Sequence, residues 1–297
     1  MVSTQTAPIS FTDAAAQRAA ARRLHGRLEA VHTLVYFASQ VHEAHRGAGL
    51  KGRMMGYTAG RIAPMGAVGP EVATAVFYGF SPQLLARALP DAWSFASPGT
   101  VLDVTQTAVA GALTELWEGL ESEVARAAEL AREVALLHPI LGRPLAAAWS
   151  SVPWGDDPAL VLWQAASRMR ESRGDGHVAC LVEAGLDGVE CHLSLRGDSD
   201  RLREVLGPLR GYDDAVFDAA VERLRDRGLL DADGALTDAG RSLRERVETR
   251  TDELASAPWV AFGEERAEQL RLALEPLVEP VVSSGVLPGV IVRAVQD

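Results

Sequence analysis

Apolar residues recurring three and four positions apart run through most of this 297-residue chain, and that period restricts it to helices packed against helices. Leu28, Val31 and Val35 trace one stripe; Leu113, Leu116, Leu120 and Val124 trace another that reads as a single later helix. Three helix starts share one chemistry: a side-chain oxygen that caps free amides, then a proline whose fixed φ suits the first helical position. These are Ser81-Pro82, Ser97-Pro98 and Asp157-Pro158. The spacing predicts a mainly α fold. Residues 186–195, LDGVECHLSL, alternate apolar and polar side chains and form the best strand candidate.

The most crowded stretch follows the Asp157-Pro158 start. From Trp163 to His192 the chain reads WQAASRMRESRGDGHVACLVEAGLDGVECH, with Arg170, Glu171, Arg173, Asp175 and His177 close together. Glycine weakens helices, so Gly174 and Gly176 predict a break: one helix from Pro158 to Ser172, and a second from Gly176 to Ala184 with Asp175 as its cap. His177 would then lie in a first turn, where the helix dipole disfavours the imidazolium and free amides receive an anion or a carbonyl oxygen. Arg170 and Arg173 read there as a clamp for a carboxylate. The competing reading is a junction brace, in which those arginines pair with Glu171 and other acids.

The formal charge of −11 argues against general affinity for phosphate backbones or anionic membranes, which attract basic surfaces. Lys51 is the sole lysine among 29 basic residues, and the abundance of Ala and Arg reads as the coding bias of a GC-rich genome. Neither a secretory apolar segment nor a run of about 18 apolar residues occurs, so the expected location is the cytoplasm, with no membrane partner. Cys180 and Cys191 lack zinc spacing and sit among apolar neighbours, as reduced core residues do.

The C-terminal third changes texture. From Asp198 the sequence holds a helix, a second helix ending RDRGLL, an Asp-Gly turn and then LTDAGRSLRERVE. This succession resembles the winged helix of MarR-type regulators, in which an element of the form LT..G..L closes the wing and starts the next helix. The order of helical body, RGDGHVACLVEAGLDG and this module also resembles an actinobacterial helix-turn-helix family, which implies no established activity. The organisation expected is a helical body with a ligand pocket over 1–195, the winged-helix module over 196–262, and a C-terminal helix over 263–297. The apolar run EQLRLALEPLVEPVVSSGVLPGVIV in that last segment suits a homodimer.

A recognition helix that enters DNA should carry Lys or Arg toward the groove. Here five acids stand against three arginines from Asp213 to Arg227, and twelve against seven from Tyr212 to Leu254. A duplex repels such a face unless its arginines segregate. Other motifs are weak. Gly47, Gly49 and Gly52 make a formal GxGxxG, but helical sequence precedes it where a dinucleotide loop needs a strand, so a flexible loop lined by Met54 and Met55 is expected. Glu29-x-x-His32 places a carboxylate and an imidazole on one helix face, as di-iron bundles do, without the second copy such a site needs. Neither a nucleophile elbow nor HExxH is present.

Three functions fit these features. The first, adopted here, is a small-molecule-binding protein, a sensor or sequestering factor, whose winged helix is poorly suited to DNA. The others are a MarR-like transcriptional regulator and an enzyme acting by metal or acid–base chemistry through Glu29, His32, Tyr36, Arg61 and His177. The ligand site is expected to gather Arg170, Glu171, Arg173, Asp175 and His177 on one side of a cavity lined by Trp, Tyr, Phe and Met. Arg61 and the helix face of Glu29, His32 and Tyr36 stand opposite. No motif names a cofactor or a metal.

Overall fold

The computed structural model describes residues 8–289. Helix α1 (Ala14–Thr33) tightens into a 3-10 turn at Leu34–Tyr36 and is followed by α2 (Ser39–Gly47) and α3 (Gly52–Ile62). Short helices α4 (Pro70–Phe77), α5 (Pro82–Ala86) and α6 (Ala92–Phe95) lead to α7 (Pro98–Leu116), α8 (Glu121–Ala135) and α9 (Pro144–Ser150). The long α10 (Pro158–Glu183) precedes α11 (Glu190–Arg196), α12 (Asp200–Arg210) and α13 (Asp214–Asp226). Helices α14 (Asp238–Phe262) and α15 (Glu264–Ser283) complete a mainly α fold. The capped starts behave as the sequence predicts: Ser81, Ser97 and Asp157 accept from the amides of Leu84, Thr100 and Ala159. The stripe from Leu113 to Val124 is divided between α7 and α8, because Gly119 turns the chain at φ 81°.

Helix α10 is the axis of the molecule, packed against α1, α7, α8, α9 and α14. It runs unbroken through Gly174 and Gly176, contrary to the expected break. Two mid-helix glycines cost about 1 kcal/mol each relative to alanine, which neighbours on all sides outweigh. Gly176 has a packing reason: a Cβ there would lie 2.6 Å from Arg143 Nη1. That buried guanidinium donates to the carbonyls of Ser172 and Leu254, tying α9 to α10 and α14. Asp175 does cap a helix, though not its own. Its Oδ2 accepts from Ala146 N at 2.9 Å, at the start of α9, where the N-cap residue Arg143 supplies no side-chain cap.

The expected strand over 186–195 does not form: residues 186–189 turn, and Glu190 begins α11. Asp187 Oδ1 accepts from the amides of Val189 and Glu190 and so starts α11, and local capping outweighs the alternation. Between α13 and α14, where the MarR resemblance implies wing strands, the described residues hold one antiparallel bridge, Leu230 to Leu236, and no strand. The helices α11 to α13 close over an apolar cluster of their own with the end of α10, including Leu181, Leu193, Phe217 and Leu224. The 78–81 loop fastens this module to the body: Tyr78 donates to Leu186 O, His192 Nε2 donates to Gly79 O, and Ser81 N donates to Arg210 O.

The apolar stripe of α15 is used within the chain. Leu270, Leu274, Leu277 and Val281 are fully buried in the main core, with α15 packed on α8 and α1. That stripe therefore gives no ground for a dimer, and residues 290–292 of the quoted run lie outside the described residues. Cys180 and Cys191 are free thiols. No described helix is long and apolar enough to cross a membrane.

The two glycines of α10 should respond oppositely to alanine. At Gly174 a Cβ meets nothing closer than Glu171 Oε2 at 3.7 Å, so Gly174→Ala should stabilise by up to about 1 kcal/mol. Gly176→Ala should destabilise by about 1–2 kcal/mol net, because Arg143 must leave two carbonyls. Denaturant melts of both variants decide it; equal stabilisation would show that Arg143 is not held there.

Candidate functional site

At the level of Glu171, α10 faces α3 across a buried ion triad. Glu171 is 0% exposed, and its two oxygens take Arg61 Nε and Nη2, each at 3.0 Å, and Arg170 Nη1 at 2.8 Å. Burial by itself raises a carboxyl pKa, but Arg170 and Arg61 overcome it and hold Glu171 down at about 2. The Arg61 guanidinium also lies 4.3 Å from the Phe77 ring centroid, a cation–π contact that helps it leave water.

Beside the triad lies a cavity lined by His32, Tyr36, His45, Tyr57, Arg61, Thr105, Trp149, Trp163 and Glu171, among others. Its free space for water-sized molecules is about 30 Å³, room for roughly two waters. Hydrogen-bond counting fixes the protons within it. Ser167 donates to Trp163 O, so its oxygen accepts from His32 Nδ1–H at 2.9 Å. His32 Nε2 is then a bare acceptor and takes the Tyr36 hydroxyl proton at 2.8 Å. Thr105 likewise donates to Val101 O and accepts from His45 Nε2–H at 2.8 Å, which leaves His45 Nδ1 with an unfilled lone pair. His42 Nε2 donates to Tyr36 O at 3.0 Å. Desolvation keeps His32 and His45 neutral, the first well below the usual imidazole range and the second at about 4.

The two tyrosines are tuned apart. Burial raises the Tyr36 phenol above its ordinary value. Burial pushes Tyr57 the same way, but Arg61, Arg210 and Arg170 together bring it below the ordinary value. Their rings stand 4.9 Å apart, and Arg61 Nη1 reaches Tyr57 Oη at 3.4 Å. The Tyr57 hydroxyl proton has no acceptor among the described residues. The cavity thus offers two donors, Tyr57 O–H and Trp149 Nε1–H, the latter buried without a partner, beside two free acceptors, Tyr36 Oη and His45 Nδ1.

The expected site residues divide between three places. His32, Tyr36, Arg61 and Glu171 line the cavity. Glu29 and Arg170 stand behind it: Arg170 Nε is 3.7 Å from Glu29 Oε2, an oxygen buried without a hydrogen bond, and burial raises the Glu29 pKa. Arg173, Asp175 and His177 brace other helices. Arg173 and Arg22 both grip Asp252 of α14, while His177 Nδ1 meets Thr251 Oγ1 at 2.9 Å. The clamp predicted for Arg170 and Arg173 is therefore neutralised within the chain. His177 is mid-helix, and burial rather than a helix terminus lowers its pKa to about 4. Glu29, His32 and His177 do not converge, and no three His, Cys, Asp or Glu gather as metal ligands among the described residues.

Sequence reasoning expected Trp and Tyr in the cavity wall without singling out Tyr57, Trp149 or Trp163, and gave no site role to His45 or Thr105. One signal was present: Gly56 and Gly60 form a small-xxx-small pair on α3. The His45 ring seats against both, 2.6 Å and 3.1 Å from where their Cβ atoms would be. The GxGxxG run joins α2 to α3, and Met54 and Met55 belong to α3 rather than to a loop.

A family model described as a helix-turn-helix family matches residues 21–288. No curated protein and no solved structure matches the chain.

Removing the charge of Glu171 leaves two buried guanidinium groups facing each other, so Glu171→Gln should cost about 3–5 kcal/mol of stability. A urea melt shifted by less than about 1 kcal/mol would contradict that picture. Acid should also weaken the fold in a defined window. Burial lowers His45 and His177 to about 4 and His138 to about 3, while the unfolded chain takes up these protons near 6.5. Stability is thus lost as pH falls from 6.5. Asp175 opposes this: burial raises its folded pKa to about 6 from 3.8, so its protonation favours the fold. Asp175→Asn should make the acid loss steeper, read from melts across that window; an unchanged slope would contradict it.

Proposed function

The chain belongs to a helix-turn-helix family, and we propose that it acts as a small-molecule-binding protein whose ligand seat is the Tyr36, Tyr57 and Arg61 cavity. The observation that carries this reading is the unspent hydrogen-bonding capacity of that cavity. Tyr57 O–H, Tyr36 Oη and His45 Nδ1 converge on one small space beside a locked ion triad. Specificity for small molecules arises in this way, from a few convergent polar groups held by a rigid frame. The bound group fits where two waters fit now, so the inner end of the ligand is short.

The helix-turn-helix module then serves the fold. On α13, in the recognition-helix position of the MarR resemblance, every arginine is engaged internally. Arg223 holds Asp187 and Glu190, Arg225 holds Glu222 and the carbonyls of Asp231 and Ala232, and Arg227 holds Glu190 and the carbonyls of Gly185 and Ala184. Asp214, Asp218, Glu222 and Asp226 lie on its exposed face, with Asp218 paired to Arg203 and Glu222 to Arg225, so the face stays net acidic. That face repels phosphates. The family itself favours the second reading, a DNA-binding regulator.

Native mass spectrometry of the purified protein should show a retained small ligand. Tyr57→Phe should weaken its binding about threefold to tenfold, the loss of one hydrogen bond at about 0.5–1.5 kcal/mol. In parallel, genomic fragments at about 0.15 M salt should show no saturable binding near 10⁻⁸ M, where specific complexes form. A tight DNA complex with an empty cavity would overturn the reading in favour of the second.

A further inference from the structure

Beside the cavity lies a chamber whose charge departs from that of the whole molecule. The chain carries 40 acidic residues against 29 basic ones. The chamber, about 280 Å³, is lined by His42, His45, Arg46, Gly52, Arg53 and Gly56, with no carboxylate among them. His42, His45, Arg53 and Gly56 also line the inner space, so the two spaces adjoin.

Arg46, in the last turn of α2, and Arg53, in the first turn of α3, are exposed, and neither makes an ion pair or side-chain hydrogen bond among the described residues. By contrast Arg61, Arg170, Arg173, Arg203 and Arg223 are all paired with carboxylates. Two guanidinium groups bordering one chamber offer hydrogen-bond donors of one charge to an anion held there. The first amides of α3 add donors at the same rim, because Lys51 provides no side-chain cap.

We propose that this chamber seats the carboxylate or phosphate head of a compact organic anion, whose other end reaches past His45 toward Tyr57. The inference rests on the reading of the cavity as a ligand seat and adds the chemical class of the ligand. The head lies between Arg46 and Arg53. The inner end is limited to two or three heavy atoms and carries a group that accepts from Tyr57 and donates to His45 Nδ1 or Tyr36 Oη, as a hydroxyl does. The chamber is at the lower limit of ligand sites, roughly 300–1,000 Å³, which excludes nucleotides and extended ring systems.

The test is calorimetric titration of the full chain with inorganic phosphate, the head alone, at low ionic strength. One phosphate per chain should bind saturably, and the affinity should fall as salt rises. Arg46→Gln and Arg53→Gln should each weaken it at least fivefold. Arg201→Gln, an exposed arginine on α12 outside the chamber, should leave it unchanged. Both chamber arginines are exposed and unpaired, so their variants should melt like the parent chain. Absence of saturable binding, or an equal loss in the Arg201 variant, overturns the proposal. If phosphate fails while native mass spectrometry finds a neutral ligand sensitive to Tyr57→Phe, the anionic head falls and the ligand seat stands. If both fail, both readings fall.

Discussion

A fully buried carboxylate, Glu171, holds α10 to α3, and the geometry of the cavity follows from it. Taking a carboxylate out of water costs several kcal/mol, and only close pairing offsets this. Arg61 supplies two parallel N–H bonds and Arg170 a third, so neither oxygen is left unsatisfied. With Arg61 fixed by Glu171 and resting on Phe77, its remaining Nη1 is aimed at Tyr57. The field of these guanidinium groups then lowers the Tyr57 phenol, while His32 orders the Tyr36 proton on the opposite wall. The triad is thus a frame as well as a source of potential.

The crowding of charge from Arg170 to His177 resolves through helical geometry. In one continuous helix successive residues turn about 100° around the axis, so groups adjacent in sequence are sent to different neighbours. Arg170 goes to α1 through Glu29, Glu171 to α3 through Arg61, Arg173 and His177 to α14, and Asp175 to α9. The stretch braces α1, α3, α9 and α14, and on one side Glu171 also lines the cavity.

Helices α11 to α13 form a small unit whose charged side chains are largely spent on one another. Its core is ordinary, with Phe217, Val221 and Leu224 buried beneath α13. Its arginines, although exposed or half-exposed, are tied to Asp187 and Glu190 at the start of α11 and to the turn after α13. An arginine held by two carboxylates is not available to a phosphate without breaking those bonds. Asp214, Asp218, Glu222 and Asp226 lie on the exposed face of α13.

Local chemistry was legible in the sequence wherever a feature depends on neighbours along the chain. The helical period, the caps at Ser81, Ser97 and Asp157, and the acid excess of α13 are of this kind, because each acts within one or two turns. Of the cavity, His32, Tyr36, Arg61 and Glu171 were also named from sequence, since ionisable groups among apolar residues demand either a partner or water. Only the tertiary structure decided the rest. Gly174 and Gly176 signal a break by propensity, yet a penalty of about 1 kcal/mol each yields to a helix buried on every side and to the guanidinium seated at Gly176. Residues 186–195 alternate like a strand, but a strand needs a partner strand and this chain offers helices, so Asp187 caps α11 instead. Tyr57, His45 and Thr105 come from three helices whose meeting is set by Gly56 and Gly60, and which helices approach closely is a property of packing that no single segment carries.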